Sequence, residues 1–448
     1  MRILNNVNQI YQQLGLAELS ENNLPIQSVC IDSNQTMQNS LFFGLQGKNT
    51  DGSKYYKEAL KQNASLCIIK KGFLQESQKS QVLECENVFE IMSQLGMFCR
   101  QSFKGQVIGI TGSNGKTTTK EILSCALPNA FATKGNFNNE LGVPLNLMNL
   151  DTRHQFAAIE MGAAKAGDIK YLSSIARQDV GVITSIGRSH ISGFGSLKGV
   201  LNEKSEIIKC LPKNGLAVVP FGENLNFWKS LCSSNKLVSF GLHSDADYFY
   251  QISSKDADQK NQTIDVYFKN KYLGSIITKL LGNHNVLNIG AAFAVAHNLG
   301  VGIKEFSDRI ADLSNIPNRL GLSNWINNSI LIDDTYNANP DSVLAALTYL
   351  SGIKNRNKIA VLGDMLELGD ESENYHSKIG EEAKNLGINI LLGFGDLMQY
   401  AVRSFGKNGI HFKNEEELKN YLKEILSDKT VLLLKGSRGM KMERFKTI

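Results

Sequence analysis

One run constrains this chain more than any other: VIGITGSNGKTTTKEIL, residues 107–123. Its apolar start (107–110) is a strand, a glycine-rich turn follows, and Lys116 and Thr117 open a helical pattern reaching Ile122 and Leu123. Strand, small-residue turn and helix in that order form a P-loop, which demands an α/β layer structure around it. Backbone N–H groups of Gly112, Ser113, Asn114, Gly115 and Thr118 can close round phosphate oxygens at a helix N-terminus. Lys116 then reaches the terminal phosphates and the Thr117 hydroxyl can hold Mg²⁺. The strict pattern has a glycine five places before Gly115, where this chain has Ile110. The turn is therefore a shorter variant, hinged at Gly112 and Gly115.

A chain of 448 residues, at about 150 per domain, divides into roughly three domains. Hydrophobic content of 42% and charged content of 20% place it among soluble globular proteins. The net charge of +5 is not gathered into a run, which fits anionic small substrates and gives no case for nucleic acid. Seven scattered cysteines without a C-x-x-C pair argue for reduced thiols and against disulfides or structural zinc. No apolar run is long enough to span a bilayer, and residues 1–6 are polar, so a cytoplasmic protein is expected.

Residues 1–103 read as a small α/β domain, with strands at 28–31, 41–45 and 65–69 and helices near 53–62 and 88–103. Asp32 and Ser33 follow the first strand, as an ordinary turn or cap or as a ligand contact. From 104 to 314, strands alternate with helices, implying a mostly parallel sheet covered on both faces. Such sheets bind ligands beyond the carboxyl ends of their strands. Glu160 ends the strand at 156–159, and His190 lies in the loop after the strand at 179–185. A carboxylate near Thr117 suits Mg²⁺, although a strand-end glutamate can equally be a solvated charge. A lone histidine is more often structural than a ligand. Runs 265–268 and 273–278 read as an antiparallel hairpin, and Asn288 enters a helix at 289–299, as a plain cap or as a reader of a base edge.

The helix that Ser196 can cap carries an anomaly. Leu197, Val200, Leu201, Ile207, Ile208 and Leu211 mark its apolar face, and Lys204 falls on that face. A lysine there snorkels, finds a carboxylate, or lies partly neutral because desolvation disfavours the ammonium. A neutral lysine amine can take up carbon dioxide as a carbamate, which would make it an oxygen ligand for metal. A further boundary falls at 315–319, and residues 315–448 form a Rossmann-like domain with strands at 330–332, 359–362, 388–392 and 431–434. It lacks G-x-G-x-x-G after its first strand, so no dinucleotide site is read there. Its polar groups gather at strand ends as a rim facing a cleft.

Over its whole length the chain resembles the Mur ligases. The resemblance rests on TGSNGKTT (111–118), EMG (160–162), His190 with Lys204 downstream, and GNHNVLN (282–288). GNFNNELGVP (135–144), DDTYNANP (333–340), VLGDMLELG (361–369) and KGSRGMKME (435–443) narrow it to one member of that group. It implies a UDP-binding N-terminal domain, a central ATPase and a C-terminal domain taking the incoming amine. By the same resemblance Lys116 stabilises the γ-phosphate, Thr117 and Glu160 hold one Mg²⁺, and His190 with a carbamylated Lys204 holds a second. Asn288 would contact adenine, Arg319 the phosphates and Asp334 the ribose, while Asn136, Asn138 and Asn139 would face a muramoyl-peptide. Asn34 stands where the family's Asp-Ser-Arg has its arginine, and an amide cannot make bidentate charged contacts.

The implied reaction is ATP-dependent ligation of D-alanyl-D-alanine to UDP-N-acetylmuramoyl-tripeptide, a step of peptidoglycan precursor synthesis, by a monomer. Phosphorylation of the peptide carboxylate would supply the electrophile that a bare carboxylate is not. Two other readings compete: a ligase adding an amino acid or glutamate to a peptide or folate, and a P-loop switch that hydrolyses ATP without forming an amide.

Overall fold

Three sheets of four, nine and six strands carry the chain in the computed structural model, which describes residues 2–17, 23–47, 49–75, 81–232, 234–255, 261–314 and 316–448. The first begins after helix α1 (Val7–Gln13), whose N-terminus Asn6 caps. It comprises β1 (Ser28–Cys30), β2 (Ser40–Phe43), β3 (Leu66–Lys70) and β4 (Val82–Cys85), all parallel and in chain order, with α2 (Tyr56–Lys61) between β2 and β3. Alternation divides its side chains cleanly. Phe42, Cys67 and Ile69 face Tyr56 and Ala59 of α2, whereas Leu41, Phe43, Leu66 and Ile68 face the other way.

That second face does not close on itself. It shares one core with Met92, Leu95 and Cys99 of α3 (Val88–Ser102), and through α3 with Val143, Leu147 and Met148 of the following unit. Gly96 lets α3 approach closely, since a Cβ there would lie 2.9 Å from Pro144. Arg100 adds a bond of 2.9 Å to Asp179.

The central sheet uses β5 (Gln106–Thr111), α4 (Lys116–Ala126), β6 (Ala130–Ala132), α5 (Gly142–Met148), β7 (Phe156–Glu160), α6 (Asp168–Ala176) and β8 (Val180–Ile183). It continues through α7 (Ile191–Phe194), α8 (Leu197–Lys209), β9 (Leu216–Pro220), α9 (Leu225–Leu231), β10 (Lys236–Gly241), β11 (Tyr248–Lys255), β12 (Gln262–Phe268) and β13 (Lys271–Thr278). Strand order is β13-β12-β11-β10-β9-β8-β5-β7-β6, parallel from β6 to β11 and antiparallel beyond. The hairpin expected around 269–272 is β12–β13, turning through Lys269 and Asn270 at positive φ. Its partner β11 is an addition to the sequence reading. Helices α10 (Asn283–Asn298) and α11 (Ile303–Ile310) complete the unit. α10 is buried nearly all round, from Val286 to Ala296, which explains its alanine-rich, weakly amphipathic sequence. It also begins six residues earlier than the pattern suggests, because Gly282 and the asparagines fill its first turn.

The third sheet runs β14 (Gly321–Asn324), β15 (Ile330–Asp334), α12 (Pro340–Ser351), β16 (Asn357–Gly363), α13 (Ser372–Asn385), β17 (Ile390–Phe394), α14 (Met398–Phe405), β18 (Gly409–Phe412), α15 (Glu415–Ile425) and β19 (Thr430–Lys435). Its order is β14-β15-β19-β16-β17-β18, with only β14 antiparallel. The carboxyl ends of β15 and β19 bring Asp334 and Lys435 to the rim facing the P-loop. No helix of the described residues is long and apolar enough to cross a membrane.

Candidate active site

The turn after β5 is bound on both sides by its neighbours. Gly112 sits at φ +147 and Gly115 at φ +87. A Cβ at the first would lie 2.0 Å from Thr184 Oγ1 and at the second 2.1 Å from Asn288 Oδ1, so dihedral and space both demand glycine. Ser113 Oγ donates to the Gly187 carbonyl and accepts from the Gly187 N–H, each at 2.9 Å. Asn114 donates its N–H to Ser185 Oγ at 2.9 Å, and its carbonyl accepts from Thr184 Oγ1 at 2.6 Å. Lys116 turns back to the Gly112 carbonyl at 2.6 Å. Burial holds its ammonium below the ordinary lysine value, while the charge of Glu160 opposes that shift.

Glu160 is buried at the end of β7. Asn138 Nδ2 donates to Oε1 at 2.8 Å, and Oε2 is buried with no hydrogen-bond partner among the described residues. Leaving a buried acceptor unpaired costs about 1–3 kcal/mol, more for an ionised group. That unpaired oxygen belongs to a residue lining the same cleft as Thr117, and hard oxygen donors of this kind suit Mg²⁺. Among the described residues no three His, Cys, Asp or Glu side chains are gathered as a ready cage.

Lys204 is 1% exposed on α8. Burial, then repulsion from Lys116, brings its amine down to about 7, against the opposing pull of Glu203 and Asp168. Its Nζ lies 5.4 Å from the Phe194 ring centroid, and the residue does not itself line the cleft. His190, at the N-cap of α7 with φ +53, does line it. Burial lowers the imidazole's pKa; Glu367 pulls it up, and Lys116 and Lys204 push it down. Glu160, Lys116, His190 and Lys204 thus form one electrostatic neighbourhood.

On the opposite wall, Arg319 donates to Thr117 Oγ1 at 3.2 Å and stacks 3.9 Å above the Tyr336 ring. Asn288 donates to Asn285 Oδ1 at 3.3 Å and backs the P-loop. Asp334 receives Lys435 Nζ at 2.6 Å, and the same ammonium reaches the Asn337 carbonyl at 2.8 Å. His284 lines the cleft with Nε2 buried and unpartnered among the described residues, and burial holds its pKa near 4.

The cleft has a volume of about 700 Å³ and unites Ser113, Asn114, Gly115, Lys116, Thr117, Thr118, Asn138, Asn139, Glu160, His190, Asn288, Arg319 and Asp334. Four expected residues stand outside its lining besides Lys204. Gly112 opens the turn, packed against Thr184. Asn136 is exposed, joined to Asn138 by a backbone bond of 2.8 Å. Asp32 caps the short turn Ser33–Gln35 by accepting from the Asn34 N–H at 3.0 Å, and Ser33 is buried within it. Asn139 does line the cleft, but its Oδ1 also caps α5 through the Gly142 N–H at 3.0 Å.

Contacts between the central and C-terminal units escaped the sequence reading. Asn114 and Asn339 exchange amide bonds of 2.8 and 3.4 Å. Asp341 accepts from the Arg188 N–H at 2.7 Å and from its guanidinium at 2.9 Å. Glu367 meets His190. Asn339, Asp341 and Glu367 lie in or beside the runs 333–340 and 361–369, so the signal was a polar loop after a buried strand, without a partner to name.

A P-loop opposed across one cleft by a second α/β unit defines a nucleotide-using enzyme with a further substrate rim. The comparisons with known proteins agree in detail. The Mur ligase middle domain matches residues 110–296, and the Mur ligase glutamate ligase domain matches residues 319–438. The chain belongs to the Mur ligase family. It is 32% identical, over 97% of its length and 96% of the relative's, to the UDP-N-acetylmuramoyl-tripeptide–D-alanyl-D-alanine ligase of Haemophilus influenzae. The Escherichia coli K12 protein of that name is 31% identical over 95% of this chain and 94% of its own. Among solved structures, MurF from Acinetobacter baumannii superposes with a TM-score of 0.87 at 28% identity, covering 99% of this chain and 98% of its own. MurF ligase from Thermotoga maritima in complex with ADP gives 0.81 at 26% identity, covering 94% and 96%.

Proposed function

We propose that this chain is an ATP-dependent ligase that joins D-alanyl-D-alanine to UDP-N-acetylmuramoyl-tripeptide, completing the pentapeptide precursor of peptidoglycan and releasing ADP and phosphate. The observation that carries the reading is the shared cleft. The P-loop, the unpartnered oxygen of Glu160 and the C-terminal rim face one cleft, as a reaction passing a phosphoryl group and then an acyl group requires. Relatives covering nearly the whole chain carry that activity in their names.

Carboxylate and amine do not condense in water, because the carboxylate is a poor electrophile. The γ-phosphoryl passes to the peptide's terminal carboxylate, forming an acyl phosphate. The D-alanyl-D-alanine amine attacks its carbonyl, and the tetrahedral intermediate expels phosphate. Lys116 leaves the Gly112 carbonyl to neutralise charge spreading over the transferring group. Thr117 and Glu160 would hold one Mg²⁺, and His190 with a carbamylated Lys204 a second, both supplying electrostatic neutralisation of the phosphate oxygens. Asn138, which donates to Glu160, and Asn139 line the cleft, and with Asn136 they would contact the muramoyl-peptide. Asp32 and Ser33, in the short turn after β1, would contact the uridine diphosphate in the first unit. The working units are 1–103, 104–314 and 315–448, in a cytoplasmic monomer.

The test is phosphate release with UDP-N-acetylmuramoyl-tripeptide, with and without D-alanyl-D-alanine, alongside an oxygen-labelled peptide carboxylate. Release that depends on both substrates, with label in the phosphate, is the expected result. Hydrolysis indifferent to either substrate would favour a P-loop switch, and label absent from phosphate would remove the acyl phosphate.

A further inference from the structure

His190 is gripped from the far side of the cleft. Its Nδ1 is paired with Oε2 of Glu367, in the loop after β16. The contact is built at both ends of Glu367. Its carbonyl accepts from the N–H and the hydroxyl of Ser192, each at 3.3 Å. Its backbone stands at φ +63, a left-handed conformation that a residue with a Cβ adopts only where its surroundings enforce it. The Glu367 side chain remains 59% exposed, and ion pairs that open contribute little to stability. A strained backbone maintained for a weakly stabilising contact points to what the contact does to the imidazole.

An acceptor on Nδ1 fixes the proton there and leaves the Nε2 lone pair free. Because His190 lines the cleft, that lone pair is its means of holding a ligand. Carboxylates behind ligating histidines fix the ring's orientation and raise its basicity. We infer that Glu367 is a positioning residue for His190, reaching across the cleft from the C-terminal domain, so that a cation held by His190 is bound more firmly with Glu367 in place. The identity of that cation rests on the ligase reading; the tautomer does not.

The variants are E367A, which removes the acceptor, and E367Q, whose side-chain carbonyl keeps it. Long-range proton–nitrogen spectra of the full chain, with the His190 signals assigned by loss in H190Q, read the tautomer at mildly alkaline pH. Mn²⁺ titration in the presence of a non-hydrolysable ATP analogue reads the ions directly. Wild type and E367Q are expected to show the Nδ1–H form. E367A is expected to shift toward Nε2–H and to bind the second Mn²⁺ about 10–100-fold more weakly, with an unchanged melting temperature. An unchanged tautomer and Mn²⁺ affinity in E367A overturn the proposal whatever happens to turnover, and so does E367Q matching E367A. A wild type that behaves as expected in both measurements yet forms no amide would sink the ligase reading and leave this one standing.

Discussion

At the scale of single residues, Lys204 shows how far spacing alone can reach. Its register with Val200 and Ile208 placed it on the buried face of α8, and it is indeed 1% exposed. The amine's folded value of about 7 lies below its ordinary 10.5. Between those two values the unfolded chain binds the extra proton, so stability rises as pH climbs through that window, and the whole penalty stands below about 7. At about 1.36 kcal/mol per pKa unit, the penalty is on the order of a few kcal/mol. Lys204→Met should therefore be more stable than wild type on the acid side, with the gap closing at alkaline pH. Urea denaturation across a pH series, in buffer free of carbon dioxide, measures it; a gap independent of pH would mean the lysine is not desolvated. For catalysis, Lys204→Arg should abolish ligation and Lys204→Ala should be partly rescued by short-chain carboxylic acids. Wild-type turnover in either variant would remove the carbamate. Glu203, one residue away, was not legible: it caps α6 by accepting from Gly167 and Ile169 at 2.8 and 2.6 Å, and nothing in its own helix announces a neighbouring one.

At the scale of elements, what could be read was what is local. The P-loop declares itself because strand, turn and helix adjoin in the chain, although the neighbours that crowd its glycines, Thr184 and Asn288, come from distant parts of it. Gly115→Ala would set a Cβ 2.1 Å from Asn288 Oδ1 at a backbone angle costing about 1–2 kcal/mol. The Michaelis constant for ATP should rise about tenfold or more, as initial rates at varied ATP would show; an unchanged constant would put the nucleotide elsewhere. What could not be read was pairing between elements. Tyr248 and Tyr250 bury alternate side chains along β11, a signal short enough to pass as loop. The helix α3, read as the end of the first unit, belongs equally to the core of the second. Gly96→Ala should press on Pro144 and cost about 1–3 kcal/mol in denaturation, since the Cα and Cβ of Pro144 stand 2.9 Å from the added carbon. The Michaelis constant for D-alanyl-D-alanine should not move.

At the scale of the whole molecule, the cleft exists because two sheets present their carboxyl ends to one another and small polar pairs hold them there. No single pair is strong. Arg188 and Asp341 are 45% and 35% exposed, and an ion pair that open contributes about 0–1 kcal/mol to stability. Its value lies in where it acts. Asp341 follows Asn339 at the N-terminus of α12, so the same turn grips the P-loop through Asn114 and the β8–α7 loop through Arg188. An acyl phosphate formed in the cleft is lost to water unless the amine arrives first, and closure is what excludes water. Asp341→Ala should therefore leave the melting temperature nearly unchanged while uncoupling the two half-reactions. Amide formation should fall and phosphate released per amide formed should rise, with small-angle scattering reporting a larger radius of gyration in the presence of ATP. If phosphate and amide stay in step in that variant, the clasp between α12 and the P-loop is ornament to the reaction, and closure is secured by other contacts across the cleft.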